Sequence, residues 1–142
     1  MKKLILITIL LMFLPFSDNN LAKEEIASPS DHITRDNIII TDKFLILSID
    51  NSILVDFKGT GSMEPVLNEY SNGIEIIPKS EDEIKVGDII VYQNGNEKII
   101  HRVKYINEEN GKKTFVLKGY NDNNEESVKF TDIKYILIGV LY

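Results

Sequence analysis

The stretch IIVYQNGNEKIIHRVKYINEENGKKTFVL, residues 89–117, decides the fold. It holds three β-branched or aromatic runs, 89–92, 99–106 and 114–117, with Asn94-Gly95 and Asn110-Gly111 between them. Asn-Gly supplies the positive φ angles that tight hairpins need, so the stretch predicts an antiparallel meander. The spacing of the runs predicts loops longer than two residues. On the middle strand Ile99, His101, Val103 and Tyr105 share one face, because strand side chains alternate.

The same pattern extends in both directions. Runs at 38–40, 44–49, 53–57, 74–77 and 133–142 are rich in Ile, Val, Leu, Phe and Tyr and too short for ordinary helices. No segment after residue 20 keeps a 3.6-residue period, and 65–70 is the one place for a short helix. Residues 121–126, Asn-Asp-Asn-Asn-Glu-Glu, read as an acidic, low-complexity loop. The expected fold is mainly β: a twisted, partly closed antiparallel arrangement with at most one short helix.

The N-terminus differs from the rest. Lys2 and Lys3 precede an apolar run from Leu4 to Phe16, broken only by Thr8. A positive start before a short apolar run has the form of a secretory signal, with Ala22 near the cut. The run is shorter than the roughly 20 residues of an ordinary membrane span, so the alternative is a short retained anchor. Either reading sends the rest of the chain across a membrane, secreted or associated with it through residues 4–16. The organisation expected is 1–22 as signal or anchor, 23–36 as linker and 37–142 as the folded domain. His32 then lies in the linker as a solvated bystander.

Composition narrows the function. A net charge of -6 opposes nucleic-acid binding, which needs a basic footprint. Without cysteine there are no disulfides, zinc-thiolate sites or thiol nucleophiles. Two histidines, His32 and His101, cannot build a His-rich metal site, and no metal or organic cofactor is implied.

The segment Gly59-Thr60-Gly61-Ser62-Met63-Glu64-Pro65 is the chemically suggestive one. Its glycines allow close backbone approach, and Pro65 stiffens the exit. Such a turn can present a serine to an extended peptide; taken alone it also reads as an ordinary Gly-rich turn. A lone histidine on an apolar face, like His101, is more often a hydrogen-bonded core residue than a catalyst.

Four boxes in order change that balance. Gly61-Ser62-Met63-Glu64-Pro65 resembles the nucleophile box of the type I signal peptidases. Residues 87–92, GDIIVY, resemble the strand that follows it, and Ile100-His101-Arg102-Val103 resembles the general-base box of the histidine-bearing archaeal and endoplasmic-reticulum branch. Lys118-Gly119 with Asp122-Asn123-Asn124 resembles the last box. The resemblance runs from about Val55 to Tyr142.

It implies a serine endopeptidase cutting exported proteins after small residues, with an exported preprotein or peptide as partner. Ser62 would be the nucleophile and His101 the general base, a task that histidine suits because its ordinary pKa lies near 6.5. The oxyanion would be held by the Ser62 N–H and the Thr60 hydroxyl. The acid orienting the histidine is assigned first to Asp122, with Glu126 in reserve, because the last box departs from the family pattern: Tyr120 follows Gly119 and no second aspartate comes at the usual distance. Met63 would line a substrate pocket or join the core. Lys98 faces solvent, and Arg102 is structural, paired with an acid.

Two other readings stay open. One is a catalytically inactive β-domain that binds extended peptides, favoured by the altered acidic box and by the long stretch between Phe16 and Ser62. The other is a self-cleaving relative of the repressor type, which His101 in place of a lysine opposes.

Overall fold

The computed structural model describes residues 25–142. The expectations for the signal or anchor, 1–22, and for the first two linker residues fall outside it. Among the described residues no helix is long and apolar enough to cross a membrane.

The chain is mainly β, as its patterning predicts, in two antiparallel sheets. Strands β1 (Ile38–Ile40) and β2 (Leu45–Leu47) pair as a separate hairpin. Its Ile38, Ile39, Ile40, Leu45 and Ile46, with the neighbouring Phe44, stay exposed. The remaining strands are β3 (Ser52–Asp56), β4 (Asn72–Ile76), β5 (Ile89–Asn94), β6 (Glu97–Glu109), β7 (Lys112–Lys118), β8 (Glu125–Lys129) and β9 (Ile133–Leu141). They form one sheet in the order β3-β4-β9-β5-β6-β7-β8. It does not close into a barrel, so β3 and β8 are its edges.

The meander of residues 89–117 is β5, β6 and β7. Both of its loops are two residues long, shorter than expected, because pairing runs to Asn94↔Glu97 and Glu109↔Lys112. Asn110 and Gly111 both take positive φ, 52° and 72°, the turn whose twist matches the strands it joins. A bulge between Val103 and Tyr105 breaks the alternation. His101 and Val103 are buried on one face while Tyr105 turns outward and donates to Glu125.

Two differences concern local structure. The short helix expected at 65–70 is a single turn, in which Val66 and Leu67 N–H both donate to the Met63 carbonyl. Asn68 stops it: its side chain accepts from Tyr70 N–H, and its own N–H donates to Ser71 Oγ. The acidic loop of 121–126 ends in a strand, β8, which the sequence reading lacked. Val128 is its buried residue, and pairing with β7 imposes the strand on a poor β-former such as Glu125-Glu126.

Each face of the large sheet carries a cluster. One centres on Ile90, Tyr92, Val103, Phe115, Leu117 and Ile136. The other joins Met63, Leu67, Ile89 and Leu137, and it holds the serine turn onto the sheet. Phe115 is fully buried. Phe115→Ala should cost about 3–5 kcal/mol of stability in urea unfolding, through lost burial and a residual cavity.

Residues read as linker are packed on the domain. Asp88 is fully buried and needs donors. Ser30 N–H and Oγ (both 2.7 Å), Lys85 N–H (2.8 Å) and His32 Nε2 (3.1 Å) surround its carboxylate. His32 is therefore not a solvated bystander but part of this cluster. Arg102 pairs with no acid among the described residues: its guanidinium donates to the carbonyls of Ala27 and Gly87 and to the Tyr120 hydroxyl.

Candidate active site

Ser62 sits in the turn between β3 and β4, directly after Gly61, whose φ of 75° favours glycine. Below it Met63, 3% exposed, plugs the second cluster, so the turn is fixed by burial on one side only. Met63 both joins the core and lines the groove beside Ser62. Thr60 Oγ1 lies 3.2 Å from Ser62 Oγ, which places a second hydroxyl beside that of Ser62.

The Tyr120-Asn121 segment grips the same turn. Asn121 N–H donates to the Ser62 carbonyl (3.0 Å), and its side-chain amide donates to the carbonyls of Gly61 (2.9 Å) and Glu64 (3.2 Å). Sequence reasoning did not single out Asn121; its signal was an amide-bearing residue between Gly119 and Asp122, inside the last box. In a serine peptidase using Ser62, Asn121→Ala should free the turn and lower kcat by roughly 10- to 100-fold, with little change in melting temperature. Steady-state kinetics beside a thermal melt would read both.

His101 is 4% exposed on β6, across the ladder from Ile90. Gly119 brings it to the serine turn. A Cβ at Gly119 would lie 2.9 Å from the Ser62 carbonyl oxygen, 3.0 Å from His101 Nε2 and 3.2 Å from Asp122 Cβ. These three residues thus converge on a gap only glycine leaves open. No hydrogen bond joins Ser62 Oγ to His101 among the described residues; such bonds often shorten only when substrate binds.

Both acidic residues foreseen lie near the histidine, in different places. Glu126 Oε2, on β8, is 3.6 Å from His101 Nδ1, and neither of these buried atoms has a hydrogen-bond partner among the described residues. Asp122 lies around Gly119, its Cβ 3.2 Å from where a Gly119 Cβ would sit. Glu126, the reserve, is thus the carboxylate facing Nδ1, while Asp122 is the one whose charge raises the His101 pKa. Burial pushes the His101 pKa below its usual value, and the Asp122 charge partly offsets this.

A groove of about 870 Å³ opens beside Ser62, lined by β3, the serine turn and the start of β6. Lys98 lines it, with Nζ 5.0 Å from the centre of the Tyr135 ring, and is exposed as expected. Glu75 lies in the wall, 3% exposed. Burial raises its carboxyl to about 7, although the Lys98 charge pulls it down. A raised folded pKa means the folded protein holds the proton more tightly, so stability falls as pH rises from 4.5 to about 7. Glu75→Gln should therefore stabilise the domain at pH 8, by on the order of 2 kcal/mol, and change little at pH 4. Thermal melts at the two pH values would show it.

Among the described residues no group of three His, Asp or Glu side chains is placed to hold a metal ion. Compared with protein-family models, curated proteins and solved structures, the chain matches none.

Proposed function

We propose that the chain is a serine endopeptidase of the signal peptidase type, cutting exported proteins after small residues. One observation carries this reading: Ser62, His101 and a carboxylate facing Nδ1 come from three distant segments to one place. The ordered boxes of the sequence support the same family.

The chemistry follows from the atoms. Ser62 Oγ attacks the scissile carbonyl while His101 Nε2 takes its proton. The imidazolium formed is stabilised at Nδ1 by Glu126. The oxyanion is met by the Ser62 N–H and the Thr60 hydroxyl. His101 then protonates the departing amine, leaving an acyl-Ser62 ester. A water molecule, deprotonated by the same nitrogen, releases the acid and restores the serine. Substrate is held as an extra strand on the free edge of β3, which runs toward the serine turn. The extracytoplasmic side of a membrane, secreted or tethered through residues 4–16, is the location that fits this substrate.

The test is the pH dependence of kcat/KM on a peptide with alanine before the cut. His101 must be neutral to act, so activity should fall as pH drops through a value below 6.5, since burial depresses its pKa. A limb in the range of a lysine would refute His101 as base. The missing Ser62–His101 hydrogen bond favours one second reading, a peptide-binding β-domain that does not cut. That reading requires no turnover at any pH.

A further inference from the structure

Glu75 is a buried carboxyl that the proposed mechanism leaves unused. Its carboxyl lines the groove beside Ser62, and no described residue hydrogen-bonds it. It stands opposite Ile53, at the end of β3 remote from the serine turn. A buried carboxyl without a donor is costly, and the cost falls when a ligand supplies one. The groove has the volume of an ordinary ligand pocket.

We propose that Glu75 forms a subsite for a basic side chain, lysine or arginine, several residues before the cut. The proposal rests on the peptidase reading and narrows its substrates. An extended peptide on β3 turns alternate side chains to the groove, so the third or fifth residue before the cut shares a face with the residue at the cut. The position of Glu75 beside Ile53, away from Ser62, places the subsite at one of these and not at the cut itself. A cation suits it better than a neutral donor: Asp56, Glu75 and Glu97 line the groove against Lys58 and Lys98. An apolar side chain would bury the carboxyl and leave it without a donor.

The experiment uses the full chain in detergent micelles and peptides with alanine before the cut. Lysine is compared with norleucine at the third and at the fifth position. The expected result at pH 8 is a kcat/KM about tenfold higher for lysine at one of the two positions, as one charge-assisted hydrogen bond provides. The preference should shrink at pH 5.5, where Glu75 is protonated despite Lys98; the titration of His101 cancels in the ratio. Glu75→Gln should remove the preference and still cut the norleucine peptide. Equal rates at both positions, or a preference that survives Glu75→Gln, would overturn the subsite and leave the peptidase standing. No cut of either peptide by folded protein would defeat the peptidase reading instead. The subsite is then judged by fluorescence anisotropy with Ser62→Ala: tighter binding of the lysine peptide upholds it, and equal binding overturns it.

Discussion

Ser62→Ala and His101→Ala should each lower kcat on a preprotein by about 10⁴- to 10⁶-fold, and the double variant should be no worse than either. The reasoning is that the two side chains act as one unit. Without Oγ there is nothing to acylate, and without Nε2 the serine keeps its proton in the attack. The two changes differ in stability. Ser62 stands on a turn held by Met63 and Asn121, neither of which depends on the hydroxyl, so Ser62→Ala should melt with the wild type. His101→Ala opens space between Glu126 and Gly119 and leaves the Glu126 carboxylate without its facing nitrogen. Its melting temperature should fall by several degrees. Kinetics and thermal melts on the three variants give both answers.

Glu126→Gln should lower kcat by about 10³- to 10⁴-fold at pH 8, whereas Asp122→Asn should stay within about tenfold. Glu126 Oε2 faces Nδ1 and has no hydrogen-bond partner among the described residues. An amide in its place can bind the imidazole through the wrong tautomer and cannot neutralise the imidazolium. Asp122 acts only through its charge, which raises the His101 pKa against burial. Its removal should therefore move the acid limb to lower pH and leave the plateau nearly intact. The reverse ranking, with Asp122→Asn the more damaging at pH 8, would mean that the loop after Gly119 rearranges when substrate binds.

The strands were legible because their residues obey a period of two or form short β-branched runs. Residues 38–40 and the meander of 89–117 needed nothing beyond pattern and turn chemistry. The convergence of Ser62, Gly119 and His101 was legible only as ordered boxes, since no local rule says that a turn after β3 meets the end of β7. Glu126 was held in reserve for a physical reason. Asn121 to Glu126 has the composition of a solvated loop, and only pairing with the edge of β7 turns Glu125–Lys129 into a strand. That strand sets Glu126 opposite Leu117, on the face of the sheet where His101 is buried. His32 was misjudged similarly: a histidine in a turn-rich segment looks solvated until a buried Asp88 far along the chain gathers the segment in. The bulge at residue 104 likewise has no signature in the alternation it interrupts.

The most direct test of the central claim is cleavage itself. Full-length chain in detergent micelles is incubated with a preprotein carrying a small-residue cleavage site, and the products are weighed by mass spectrometry beside the Ser62→Ala variant. The account predicts one cut after the small residue by the wild type and none by Ser62→Ala. No cut by folded wild type, or an equal cut by Ser62→Ala, would contradict it.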